Sequence, residues 1–284
     1  MSDALTTITN LINSPPGQLA AGGVLGSIVW KFFERVEAVL KDGTKLEIAV
    51  WLLGVKVGQK VEPWPDTFAK VFDRVFGEKH LSWKCLWRST LFAYAGLIMV
   101  GVFVDWSYRW QLVTLDYWWD TLQFGFIGNV LPDFVSLLET RYVLGIMQRT
   151  TSAVLHFGWV VVDLALTSAI SLLTAHLILS VWWPDSPLSW RWSFSAILGH
   201  PKDFHQNHSW LSFVIPPFLT SIWLWLYAGS GFILKAARRF DIGFEWFNRK
   251  FDIEKKPLQS IGLVAGALVA LVYWAAVIVS RLLR

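Results

Sequence analysis

From Ser260 to Ser280 the chain runs for 21 residues without a charged side chain. At about 1.5 Å per residue, a helix of this length spans the ~30 Å hydrocarbon core of a bilayer. Peptide groups in lipid find no water, so such a run must satisfy its own hydrogen bonds as a helix. Four further apolar stretches repeat the pattern, at about Thr90–Val104, Gln123–Met147, Ala153–Trp182 and Leu211–Leu234. The first is short unless its flanks join it, the second is interrupted by Pro132, and the third is long enough to tilt. The sequence therefore predicts an all-α fold, a multi-pass transmembrane helix bundle of about five spans. Composition fits that class. Charged residues are 16% of 284, below the quarter usual in soluble domains, and 19 Trp supply interfacial side chains. The lone Cys85 excludes an internal disulfide.

Residues 1–88 read as a cytoplasmic helical segment, with the bundle in 89–284. The segment holds 11 Lys+Arg and 9 Asp+Glu. Leu25, Val29, Phe32, Val36 and Leu40 recur at helical spacing, and the apolar run Ala20–Trp30 is too short to cross before Lys31 interrupts it. Asp42-Gly43 reads as a turn and Lys45–Val57 as helix or strand. Pro65 opens a helix with Phe68, Val71, Phe72, Val75 and Phe76 on one face, and Gly77 ends it. Ser82 caps a helix that runs through Trp83 and Arg88 into the membrane. Residues 1–13 carry no Lys or Arg ahead of their apolar residues, unlike a secretory leader.

Charge sets the orientation. With all five runs crossing, 20 basic residues face the cytoplasm: 11 in 1–88, then Arg141 and Arg149, then seven in 235–256. Five lie outside: Arg109, Arg191, Lys202, Arg281 and Arg284. The excess of basic residues on cytoplasmic loops selects this arrangement, N-terminus cytoplasmic and C-terminus outside. The outer loop Asp105–Asp120, with Trp106, Tyr108, Trp110, Tyr117, Trp118 and Trp119, makes an aromatic belt.

Two of the runs carry polar stripes. Asn129, Asp133, Ser136 and Thr140 share one helical face of the second, and His156, Asp163, Thr167, Ser171 and Thr174 share one of the third. A carboxylate at membrane depth costs several kcal/mol at order of magnitude unless paired or hydrated, so Asp133 and Asp163 demand a reason. One reason is a pore lined by carboxylates and hydroxyls. The other is interhelical hydrogen bonding, Asp133 with Asn129 and Asp163 with His156. Glu139 and Arg141 read as a salt-bridged helix end.

In the last run Gly262, Gly266 and Ala270 make a small-residue face for close helix approach, within one chain or between subunits. The loop 235–256 carries Phe240, Phe244, Phe247 and Phe251 at helical spacing beside Arg238, Arg239, Arg249 and Lys250, with a net charge of +3. This pattern predicts a cytoplasmic amphipathic helix lying on anionic lipid, or docked on the N-terminal helices with its basic face free for an anionic ligand. His200, Asp203, His205 and His208 fall in an outer loop at spacings that match no standard zinc pattern. HExxH, P-loop and GxGxxG motifs are absent from the sequence, as is a GxSxG with a partner His, so the expectation is a protein without catalytic residues, cofactor or metal.

Three stretches carry a resemblance: Phe72–Ser82 (FDRVFGEKHLS), Asn129–Arg141 (NVLPDFVSLLETR), and Glu254–Leu258 (EKKPL) leading into the glycine-rich last run. They resemble a family of uncharacterised bacterial multi-pass inner-membrane proteins. That resemblance implies residence in the bacterial inner membrane and no particular activity. In layout the chain is similar to membrane effectors of bacterial antiphage systems, by analogy alone. Two functions are therefore expected in competition. One is a homo-oligomeric channel or membrane-permeabilising effector, gated through 1–88 and 235–256 by a cytoplasmic partner or anionic ligand. The other is a non-conducting anchor or scaffold subunit that recruits such a partner.

Overall fold

Ser14 precedes two prolines, and it caps the first helix, its Oγ accepting from the Gly17 N–H at 3.3 Å. The computed structural model describes residues 14–53, 64–103, 126–182, 218–240 and 243–282, and every regular element among them is helical. In chain order these are α1 (Pro15–Val39), α2 (Asp42–Leu53), α3 (Trp64–Phe76), α4 (Trp83–Phe103), a π-helical turn (Phe126–Val130), α5 (Leu131–Met147), α6 (Ala153–Trp182), α7 (Phe218–Arg239), α8 (Phe244–Phe251) and α9 (Pro257–Leu282). The expected all-α class is what the chain adopts.

Val154–Thr174 of α6 and Pro257–Val279 of α9 are long and apolar enough to cross a membrane. Only 17% and 28% of them is buried, so neither is wrapped as the core helix of a soluble protein would be. Among the described residues no other helix meets that measure. Helices α4, α5 and α7 stand where three more spans are expected and do not meet it over their described residues.

The chain divides into two compact units, Met1–Val75 with Leu224–Arg284, and Phe76–Trp223. In the first, α1 lies antiparallel along α9. A side chain on Gly22 would strike the Trp274 ring, one on Gly26 would meet the Gly266 carbonyl, and one on Gly262 would strike Phe33. The small-residue face of α9 thus serves packing within the chain, against matching glycines of α1. The same unit holds an aromatic core. Trp51 of α2 stacks on Tyr227 of α7 at 5.4 Å, and Phe68 of α3 meets that ring at 4.9 Å. Gly231 leaves the space that the Trp51 indole fills.

Local expectations fare unevenly. Gly77, at φ +93°, ends α3, and the Ser82 hydroxyl accepts from the Cys85 N–H at 3.2 Å to cap α4. The Asp42-Gly43 turn is corrected. These residues form the first turn of α2, where an acidic side chain favours the helix, and the break falls before them. The single helix across 235–256 is corrected too. Helix α7 runs on to Arg239, Gly243 takes a left-handed φ of 64°, α8 is eight residues long, and Asp252 ends it at φ 49°.

Candidate functional site

The second unit puts its polar residues inside and its apolar ones outside. On α6, Val154, Phe157 and Leu177 are 80%, 64% and 54% exposed, whereas Asp163, Thr167 and Ser171 are fully buried. On α5, Leu131 and Tyr142 face outward while Asp133, Ser136 and Thr140 are buried. The two stripes therefore meet.

Their hydrogen bonds form a small network. Thr140 Oγ1 donates to Asp163 Oδ1 at 2.9 Å. Ser136 lies 3.2 Å from Thr167 Oγ1 and 2.7 Å from the hydroxyl of Ser221, on α7. Ser221 also lies 3.1 Å from Thr140 and accepts from Thr167 at 2.9 Å. Thr167 further reaches Glu139 Oε2 at 3.4 Å, so Glu139 and Asp163 both adjoin the same group of hydroxyls. Three helices thus supply four hydroxyls around two carboxyls. One turn before this cluster, Asp133 Oδ2 accepts from Ser89 of α4 at 2.6 Å.

Asn129 continues the same face at the π-helical turn and is 1% exposed, yet neither its Oδ1 nor its Nδ2 has a hydrogen-bond partner. Pro132 explains the local backbone. It has no N–H to return to the preceding turn, and an extra residue is accommodated there as a π-turn ahead of α5.

Not every predicted site residue joins the network. His156 Nε2 lies 3.1 Å from the Met147 carbonyl and 3.0 Å from that of Thr150, so it secures the α5–α6 turn and does not pair with Asp163. Ser171 and Thr174 donate to carbonyls of their own helix, Thr167 and Ile170. Asp133 takes Ser89 as its hydroxyl partner in place of Asn129. Arg141 donates to the carbonyls of Gly77 and Glu78, while its expected partner Glu139 turns into the network. Ser89, Ser221 and Glu139 escaped the sequence reading of the site. Single hydroxyls in apolar runs leave no period, and Glu139 sits off the face that Asp133 and Thr140 define.

The basic stretch belongs to the first unit. Lys235, Arg238, Arg239 and Phe240 line a cavity of about 580 Å³ with Leu52, Phe232 and Ala236, and the Lys235 ammonium is 5.6 Å from the Trp51 ring. Burial, and secondarily Arg238, hold Lys235 below the ordinary lysine range. Phe244 is buried and the rings of Phe247 and Phe251 are 4.8 Å apart, but Phe240 is 68% exposed, so the four do not share one face. Arg249 and Lys250 are exposed. His200, Asp203, His205 and His208, and the aromatic loop Asp105–Asp120, lie outside the described residues. No protein-family model matches the chain, and no curated protein or solved structure is significantly similar to it.

Proposed function

We propose that the chain is a multi-pass protein of the bacterial inner membrane and that its α5–α6 core carries cations, the proton first among them. The observation that carries this reading is the convergence of two acidic side chains, Glu139 and Asp163, on one cluster of hydroxyls, on helices whose outer faces are apolar. Two carboxylates on one small hydroxyl cluster away from water do not both stay ionised without a cation between them. The pair therefore holds one proton or one small monovalent cation. The adjoining hydroxyls of Thr140, Ser221, Ser136 and Thr167 both donate and accept, so a proton can be passed along them without an opening wider than a hydrogen bond. From Asn129 to Thr140 the polar face of α5 extends roughly 16 Å, about half the hydrocarbon thickness. The unpartnered Asn129 amide marks its far end. A buried amide lacking partners costs about 2–7 kcal/mol, and water or hydronium is an occupant of the right size and polarity.

In this reading five spans place 20 of the 25 basic residues in the cytoplasm, and the segments around α2–α3 and α7–α8 receive the controlling signal. Assembly into a homo-oligomer and a role as a defence effector belong to the same proposal. Purified protein in liposomes with a pH-sensitive dye should dissipate a proton gradient. Asp163→Asn and Glu139→Gln should each slow that at least tenfold. Parent liposomes that stay tight to protons, Na⁺ and K⁺ with the signal present, or an Asp163→Asn rate equal to the parent, would overturn it.

The second reading, a non-conducting anchor, is favoured by one specific observation. Ser136, Thr140, Thr167 and Ser221 satisfy one another inside one chain, which is how polar side chains glue membrane helices. Tight liposomes with correctly folded protein are its signature.

A further inference from the structure

Resting on the membrane reading above, we infer that α1 is itself embedded in the bilayer beside α9, with the face bearing Val24 and Ile28, away from α9, against acyl chains. The Ser14 end of α1 then lies on the side opposite Lys255 and Lys256. This departs from the sequence expectation that all of residues 1–88 are cytoplasmic.

The packing pairs run in strict antiparallel order. Glu37 Oε2 accepts from the Gln259 N–H at 2.5 Å, Phe33 fills the space at Gly262, Gly26 faces Gly266, and the Trp274 Nε1 donates to the Leu19 carbonyl at 3.3 Å. Helices of 25 and 26 residues therefore lie side by side along nearly their whole length. If α9 crosses the membrane, α1 accompanies it at the same depth, because no part of the contact is free to lie in water.

The side chains agree. Pro15–Trp30 is 16 residues without a charge, about 24 Å of helix. Leu19, Val24 and Ile28 are 58%, 49% and 41% exposed, as are large apolar residues of α9 such as Val272. The charges of α1 gather at its other end, where Lys31 pairs with Glu34 at 2.6 Å, next to the start of α9 that follows Lys255-Lys256. Lys31 has an exposed stem and can snorkel to the interface. The positive-inside count is also indifferent to the change. The first basic residue is Lys31, so moving the Ser14 end outside leaves 20 basic residues in and five out. Ala20–Trp30 alone is too short to span, but the uncharged Pro15–Leu19 turn extends it.

The test is sided labelling of the full chain in membrane vesicles of known orientation, with a membrane-impermeant maleimide. Single cysteines replace Ser14, Val24, Lys256 or Leu282, and the parent with its buried Cys85 serves as the blank. Ser14→Cys and Leu282→Cys should react at least tenfold faster from the outside, Lys256→Cys only from the inside, and Val24→Cys slowly from both. Reaction of Ser14→Cys from the Lys256 side overturns the inference. So does fast labelling of Val24→Cys, which would put that face in water, or a Val24→Cys disulfide between chains, which would put a second copy on it. Lys256→Cys and Leu282→Cys reacting from one side would instead refute the crossing of α9, and with it the membrane reading.

Discussion

Glu37 sits 7% exposed at the first turn of α9, where its carboxyl accepts the Gln259 amide. A carboxylate suits a helix N-terminus, but here burial is the larger influence and pushes the group above the ordinary carboxylate range, against the pull of the Gln259 amide, Lys45 and Lys256. A pKa raised by folding means stability that is present below about pH 4.5 and lost as pH rises through the folded value. Glu37→Gln keeps an acceptor for Gln259 and removes the ionisation. Its melting temperature in detergent should match the parent in acid and exceed it increasingly toward neutral pH. A constant difference at all pH values would show that burial of the charge does not matter. At the site, Thr140 and Asp163 divide the two kinds of substitution. Asp163→Asn retains an acceptor for the Thr140 hydroxyl, whereas Asp163→Leu strands buried hydroxyls at about 1–3 kcal/mol. The Leu variant should melt well below the Asn variant. Equal melting would mean the network adds nothing to stability.

At the scale of helices, the α1–α9 contact turns on individual glycines. Gly26 and Gly266 meet backbone to backbone, so even a methyl group forces the helices apart, while Gly23 on the same helix faces open space. Gly26→Ala and Gly266→Ala should therefore lower thermal stability by about 1–3 kcal/mol through overpacking. Gly23→Ala should be neutral or stabilise by up to about 1 kcal/mol from helix propensity. Thermal unfolding of the three variants in detergent checks the order, and equal effects would deny close packing. Helices themselves were legible in the sequence. The expected run at 153–182 is α6 to the residue, and Pro65, Gly77 and Ser82 mark their helix ends. Partners were not. Gly262, Gly266 and Ala270 announce a close neighbour without saying which, because the answer lies 240 residues away in Gly22 and Gly26. In 235–256 the phenylalanine period suggested one helix, but the period alone does not register that Gly243 and Asp252 adopt positive φ and cut it.

For the molecule as a whole, the polar stripes were readable because carboxylates are conspicuous in apolar runs, and periodicity put them on one face of each helix. Their chemistry was less readable. Ser89 and Ser221 approach from α4 and α7, and Glu139 swings in from beside the stripe, so the closed network exists only after folding. Orientation follows from a different property, the placement of charge, and it can be tested without regard to conduction. The turn between α5 and α6 carries Arg149, and its backbone is held by the His156 ring. The stretch before α9 carries Lys255 and Lys256. Both should lie in the cytoplasm if α5, α6, α7 and α9 all cross. Reporter fusions after Arg149 and after Lys256 should each give a cytoplasmic signal. A fusion after Leu282 should give an external one. Should the Arg149 fusion report outside while Lys256 reports inside, the number of crossings between them is odd, and one of α6 and α7 does not span. Its polar residues would then have water available, and the argument that Asp163 and Glu139 must hold a cation would lose its premise.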